Sequence, residues 1–198
     1  MVSSLPDQEQ THSRAIAIIK NGGVVVIPTD TIYGIVANAL QPKAVEKVFY
    51  LRKRDIHKPV IILIADFSDL EQFSITPDDT LRKFLSAVWP GAVSVILPTE
   101  TTGFSYLHRG THTLAFRLPN KDSFRTFLRQ SGPLIAPSAN ISEEPAATTI
   151  DAAKRYFGDA VDLYLDGGTL TGEPSTLVRY TPDGVTILRQ GRTTVNPL

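Results

Sequence analysis

The stretch Val24-Val25-Val26-Ile27-Pro28-Thr29-Asp30-Thr31-Ile32-Tyr33-Gly34 decides how this chain is read. Its unbroken run of β-branched residues suits a short strand buried on both faces, and Pro28, with no N–H to give a ladder, stops that strand. A polar loop follows, carrying hydroxyls and a carboxylate that no apolar periodicity explains, and Gly34 frees the backbone to turn or to let a ligand approach. Two readings stand side by side: a small polar substrate held at a strand end, or a turn whose Asp and Thr side chains bond their own backbone.

Upstream, residues 7–20 predict a helix with Ala15, Ile16, Ile18 and Ile19 on its apolar side and Asn21-Gly22-Gly23 as its stop. Downstream, Ile35-Val36-Ala37 is a second buried run, and Pro42 sits where the first turn of a helix tolerates it. Val45, Val48 and Phe49 share one face of that helix, which runs into Leu51-Arg52-Lys53-Arg54 and places a basic cluster at its end. Residues 60–64 read as a strand and 66–73 as a short helix. A longer helix opens at Pro77, with Leu81, Phe84, Leu85 and Val88 at i, i+3, i+4, i+7 spacing before Trp89-Pro90-Gly91. Strands over 92–97 and 113–118 are separated by a polar segment, 98–112, long for an ordinary connection, for which mobility or function is expected. Residues 122–130 and 149–157 complete the helices, and Leu134-Ile135-Ala136, 161–165, 176–179 and 185–188 the strands, the last three around the loop Asp166-Gly167-Gly168-Thr169-Leu170-Thr171-Gly172. Helices and strands so mixed predict an α/β (α+β) domain: a twisted mixed β-sheet with flanking helices, one domain over 1–198.

Composition excludes several classes. Lys plus Arg and Asp plus Glu balance at 20 each, and charged residues are 20% of the chain, so nothing global announces a nucleic-acid binder. With no cysteine the chain has no disulfide, thiolate nucleophile or Cys-ligated metal. The N-terminus shows no basic region followed by an apolar core, and no apolar run is long enough for a membrane span, so the expected location is cytoplasmic.

Local chemistry is more informative. Arg52-Lys53-Arg54-Asp55-Ile56-His57-Lys58 concentrates cations in a chain of zero net charge: a solvated helix end by the ordinary account, a triphosphate site by the sharper one. No Walker-type glycine loop exists, so such a site must rest on side chains. Thr113, Ala115 and Arg117 share one face of their strand, and Arg117 either grips an acidic neighbour at a sheet edge or forks onto a ligand carboxylate. Ser138 and Asn140 in Ala136-Pro137-Ser138-Ala139-Asn140-Ile141-Ser142 stand on one side if the segment is extended, and are a helix cap or Asx turn otherwise. His108 and His112 have Gly110 between them and no apolar helix around them, which argues against a zinc pair, and no metal site is expected. Ser138 lacks the histidine and acid of a hydrolase triad.

Taken in order, these segments closely resemble the YrdC-type L-threonylcarbamoyladenylate synthase family, over about Gly22 to Gly191. The loop from Pro28 to Gly34 is similar to its signature loop, Arg52 to Arg54 to its Lys-x-Arg element, Ser138 to Asn140 to its Ser-x-Asn motif, Ser175-Thr176-Leu177-Val178 to its Ser-Thr-x-Val strand and Leu188-Arg189-Gln190-Gly191 to its Leu-Arg-x-Gly terminus. The resemblance implies a YrdC-like fold with a concave polar cavity. It also implies an enzyme that joins L-threonine, bicarbonate and ATP, with magnesium, into threonylcarbamoyl-AMP and pyrophosphate for N6-threonylcarbamoyladenosine in tRNA. Thr31, Arg117, Ser138 and Ser175 would face threonine; Arg52, Arg54, Lys58, Thr113, Asn140, Thr148 and Arg189 would face the nucleotide, with Arg54 and Lys58 supplying catalytic charge. The implied partners are tRNA-threonylcarbamoyl transferase proteins and tRNA.

One departure matters. Arg52 stands where most members carry lysine, leaving open whether Arg52 keeps the role, Lys53 takes it over, or the site is altered. A noncatalytic RNA-binding module and a carbamoyl-transfer domain of the hydrogenase-maturation type are the rival readings. The second domain of longer synthases is not expected, since only seven residues follow Gly191, and any lid is expected from the termini or 98–112.

Overall fold

In the computed structural model, which describes residues 5–54 and 60–195, the β-branched run forms β1 (Val25–Pro28), buried on both sides as its composition requires. Val24 and Val26 join one apolar cluster while Val25 and Ile27 join the other, so each face of the strand has its own core. β2 (Tyr33–Asn38) returns antiparallel, pairing Tyr33 with Pro28. The short strand β7 (Leu163–Tyr164) pairs on the other side of β1 with Val25 and Val26 only, so no neighbour there asks Pro28 for the N–H it lacks.

Among the described residues the strands form one nine-stranded sheet. Its further members are β3 (Ile61–Leu63), β4 (Val93–Pro98), β5 (Thr113–Arg117), β6 (Leu134–Ile135), β8 (Thr176–Thr181) and β9 (Gly184–Arg189), and the spatial order is β7-β1-β2-β6-β3-β5-β4-β8-β9. Parallel pairs (β1 with β7, β3 with β5, β4 with β8) are interspersed among antiparallel ones, which is the mixed sheet expected.

The helices divide between the faces. α2 (Pro42–Leu51), α3 (Asp79–Val88) and α6 (Ile150–Phe157) bury Val45, Val48, Leu85 and Phe157 in the larger cluster, against Ile35, Ile62, Val95 and Phe116 of the strands. Each such side chain removed from water contributes about 1.5–3 kcal/mol before entropy is counted. On the other face α1 (Leu5–Lys20) and α5 (Asp122–Ser131) supply Ala15, Ile19, Phe124 and Leu128, packed on Val25, Ile27, Val36, Leu63 and Leu134. Those strand positions belong to β1, β2, β3 and β6. The two helices therefore cover only one half of that face, and the half formed by β5, β4 and β8 is left open.

Several predicted boundaries shift for local reasons. α3 begins at Asp79 and not at Pro77, because the Asp78 side chain accepts from Leu81 N at 2.7 Å and caps it. Residues 66–73 wind as a 3₁₀ helix, Phe67–Phe73, whose start is closed by Asp69 Oδ2 accepting from Ala65 N at 2.7 Å. The polar segment 98–112 is packed: it holds a 3₁₀ turn, Thr102–Phe104, and a short α4 (Ser105–His108) with Leu107 and His108 buried. The Phe104 ring meets Phe73 at 5.1 Å, and the Arg109 guanidinium lies 4.3 Å over Phe49. His108 and His112 stack at 5.1 Å, and among the described residues no three metal-ligating side chains converge. No described helix is long and apolar enough to cross a membrane.

Candidate active site

The open half of the sheet is a cavity of about 170 Å³. Ile61, Ile96, Ala115 and Leu177 make its apolar floor, and its rim carries Thr31, Arg52, Arg54, Arg117, Ser138, Ser175 and Arg189. Among the described residues no carboxylate lines it. Segments from distant parts of the sequence thus converge on one hollow that is rich in arginine and hydroxyl groups. A wider, more open hollow of about 930 Å³ lies across Thr29 and Asp30, between the end of α3 and residues 192–195. It holds no buried unpaired donor among the described residues, so the smaller cavity is the candidate site.

The loop between β1 and β2 is rigid by its own bonds. Thr29 Oγ1 donates to Ile32 O at 2.7 Å and accepts from Thr31 N at 3.1 Å, while the Thr29 and Thr31 hydroxyls lie 3.1 Å apart. The hydroxyl part of the self-bonded turn is present, Asp30 bonds Arg117 in place of its own backbone, and the same loop walls the cavity. Tyr33 reaches out of it, its hydroxyl donating to Gly168 O at 2.7 Å and accepting from Gly167 N at 2.8 Å. Burial pushes the Tyr33 phenol up, so it remains a neutral donor. The glycine loop packs so tightly on this wall that a Cβ at Gly172 would come within 2.4 Å of Thr31 O. Backbone contact, not ligand chemistry, accounts for that glycine.

At the end of α2 the chain closes with paired bonds, Arg54 N to Phe49 O and Lys53 N to Tyr50 O, both 3.0 Å, and Lys53 takes a left-handed φ of 48°. This turn sends Lys53 into solvent and turns Arg52 inward, 3% exposed, with Arg54 also on the cavity. Arg52 Nε donates to Asn140 O at 3.0 Å, and Nη2 donates to Asn140 Oδ1 at 3.1 Å and Ser138 Oγ at 3.3 Å. Its Nη1 is buried without an acceptor. Burial, and then the Arg54 charge, pulls the Arg52 guanidinium down to about 10, still cationic at neutral pH.

Arg117 lies on β5, flanked by β3 and β4, so it is no edge residue. Its Nη1 donates to Asp30 Oδ1 at 2.6 Å in a pair whose side chains are 5% and 9% exposed, and its Nε is buried with no acceptor. Burial lowers its pKa and the Asp30 carboxylate opposes that shift. Near them Ser175 Oγ lies 2.9 Å from Ser94 Oγ, both buried, and Arg189 Nη2 donates to Ser175 O at 2.8 Å. Burial lowers the Arg189 guanidinium as well.

The Sua5/YciO/YrdC family model, described as "telomere recombination", matches residues 17–191. The chain belongs to this family. It is 34% identical over 192 residues to the putative threonylcarbamoyl-AMP synthase of Mycobacterium leprae, covering 96% of this chain and 87% of that protein. It is 33% identical over 194 residues to the threonylcarbamoyl-AMP synthase of Bacillus subtilis, covering 96% of this chain but 56% of that protein. Among solved structures it superposes on P. abyssi Sua5 complexed with L-threonine with a TM-score of 0.85 at 31% identity, covering 92% of this chain and 54% of that one. The chain therefore spans little more than half the length of two of these relatives.

Within this Sua5/YciO/YrdC domain the residues expected at the site divide. Thr31, Arg52, Arg54, Arg117, Ser138, Ser175 and Arg189 line the cavity. Asn140, Thr113 and Thr148 do not. Asn140 N bonds back to Ser138 O at 3.0 Å, a turn that ends the extended backbone on which a shared side was expected. The Asn140 amide then donates to Ile141 O at 2.8 Å and Glu144 O at 2.7 Å while its oxygen holds Arg52. Thr113 hydrogen-bonds within its own strand start, its Oγ1 3.1 Å from Thr111 Oγ1, and exposed Thr148 gives its carbonyl to Leu170 N at 2.8 Å. Lys58 lies outside the described residues. Two participants escaped the motifs: Ser94, whose signal was a hydroxyl inside the otherwise apolar Val93-Ser94-Val95-Ile96, and Asp30, quoted in the loop but given no partner.

Proposed function

We propose that this chain is an L-threonylcarbamoyladenylate synthase, taking L-threonine, bicarbonate and ATP to threonylcarbamoyl-AMP and pyrophosphate by a nucleotidyl transfer. The observation that carries the reading is the single cavity, free of carboxylates among the described residues, in which Arg117, Thr31, Ser138 and Ser175 stand with Arg52, Arg54 and Arg189. Arg117 offers a planar fork to the threonine carboxylate, and the hydroxyls suit the amine and side-chain hydroxyl of a small polar amino acid. Arg52, Arg54 and Arg189, joined by Lys58, are the cations a triphosphate calls for.

The threonine amine adds to the carbon of bicarbonate, with loss of water, to give a carbamate. A carbamate oxygen then attacks the α-phosphorus of ATP, and the bond to the β-phosphate bridge oxygen breaks to release pyrophosphate. No side chain is covalently changed. The protein's part is to align the carbamate with the phosphate and to stabilise charge as the leaving group departs, with Arg54 and Lys58 in the catalytic roles. The cavity's donors are cations and hydroxyls, which suit phosphate oxygens and not a divalent cation; magnesium accordingly enters as the counter-ion of ATP. The product is a reactive mixed anhydride, to be passed in the cytoplasm to a tRNA-threonylcarbamoyl transferase and thence to tRNA.

Pyrophosphate release measured with and without threonine and bicarbonate tests this. Release that requires both is expected. Release independent of either, or steeply salt-dependent RNA binding with no threonine-dependent turnover, overturns it.

A further inference from the structure

A buried ion pair of the site, Arg117 with Asp30, poses a question that the reaction scheme leaves open. A carboxylate already sits on the arginine that should receive the substrate's carboxylate. Asp30 is therefore either a placeholder that leaves when threonine arrives or a fixture that sets how Arg117 is presented.

The fixity of Asp30 decides between them. Its carbonyl accepts from Arg192 Nη1 at 2.9 Å, and the residues on either side belong to the hydroxyl-locked turn of Thr29, Thr31 and Ile32. Arg192 is itself held, its N–H donating to Pro174 O at 2.9 Å. A placeholder must withdraw, and this one is anchored by its own backbone. Its bond also falls on a particular atom. Asp30 Oδ1 occupies Nη1, while the buried, acceptor-less nitrogen is Nε. A guanidinium grips a carboxylate in parallel through Nε and Nη2, and that edge is the one Asp30 leaves alone. A buried N–H without an acceptor is costly, so an acceptor arriving from the cavity relieves it.

Resting on the function proposed above, we infer that Asp30 is a positioning residue: held by Arg192, it fixes Arg117 by Nη1 and turns the Nε/Nη2 edge to the amino-acid carboxylate. Electrostatics alone argues the reverse, since the Asp30 charge repels a second carboxylate. Arg52, Arg54 and Arg189 line the same cavity, however, so positive potential is abundant there and orientation is what Asp30 adds.

Equilibrium dialysis with labelled L-threonine and with L-threoninamide, which lacks the carboxylate, separates the two accounts using the full chain with Asp30→Ala and Asp30→Asn. Asparagine keeps an acceptor for Nη1 and discards the charge. Asp30→Asn is expected to bind threonine within about threefold of the parent. Asp30→Ala is expected to weaken it roughly 10- to 100-fold and to erase the preference for threonine over threoninamide. In turnover, the threonine KM should rise with the ATP KM within about twofold, a split that general loosening would not give. Threonine binding that tightens or holds in Asp30→Ala overturns the inference and marks Asp30 as a placeholder. Threonine binding without threonine-dependent pyrophosphate release in the parent would sink the proposed reaction and leave the dialysis result to judge Asp30. A parent that binds no threonine ends both.

Discussion

Two guanidiniums, Arg52 and Arg117, are buried almost equally in the same cavity, 3% and 4% exposed, yet they are held in opposite ways. Arg117 is pinned by a carboxylate, so its pair is neutral as a whole. Among the described residues Arg52 is pinned by neutral acceptors, the Asn140 carbonyl and carboxamide and the Ser138 hydroxyl, and has Arg54 as a charged neighbour. The difference assigns ligands by physics. A neutral wall attracts little over distance and selects by the shape of the fork it presents, whereas a buried cation held by neutral acceptors among the described residues, beside a second one, calls for a multiply charged anion. The free nitrogens agree: Nε on Arg117, part of a two-pronged edge, and Nη1 on Arg52, a single prong.

The sharpest break in this comparison comes from Arg117→Lys. Lysine keeps the charge but has no fork, and one ammonium cannot both satisfy Asp30 and grip a carboxylate side-on. The threonine KM in pyrophosphate release should rise about 100-fold, the cost of roughly two lost charge-assisted hydrogen bonds, with the ATP KM nearly unchanged. A lysine variant with parental threonine KM would mean that charge, not shape, does the selecting on this wall.

Asn140→Ala probes the other wall at smaller cost. Removing the carboxamide takes one acceptor from Arg52 Nη2 and two donors from the turn at Ile141 and Glu144, while the bond from Arg52 Nε to the Asn140 carbonyl can persist. The expected result is an ATP KM about tenfold higher and a threonine KM within twofold. Because Asn140 works through Arg52 in this account, the same change made in an Arg52→Ala background should add little, and a fully additive double mutant would refute the coupling.

These walls also show what a sequence can and cannot reveal. Val24 to Ile27 announced a strand buried on both faces because four apolar residues in succession leave a strand no solvent side. Arg117 shared a face with Ala115 as the period of two demands, and both line the cavity. Alternation failed at Asn140 because the bond from its N–H to Ser138 O folds the backbone just where the rule assumed extension. The Asp30 to Arg117 bond spans 87 positions, and nothing local in either segment encodes it. In 98–112, the general polarity concealed Phe104 and Leu107, the apolar residues that dock the segment.

Arg52→Lys is the mildest test and bears on the one departure from the family pattern. Sequence left Arg52 and Lys53 both open for the family lysine's role, and the helix-terminal turn separates them, Arg52 inward and Lys53 exposed. An ammonium at position 52 can donate to the Asn140 carbonyl, the Asn140 carboxamide and the Ser138 hydroxyl, since lysine carries three donors, but the prong that Arg52 directs elsewhere as Nη1 is then spent. Pairing is thus conserved and one ligand contact is lost. The ATP KM should shift by no more than about threefold and the threonine KM not at all, a smaller change than at Arg117 although the substitution is chemically identical. Equal losses at the two positions would mean that both arginines serve as forks, and the division between a shape-selecting wall and a charge-bearing one would have to be abandoned.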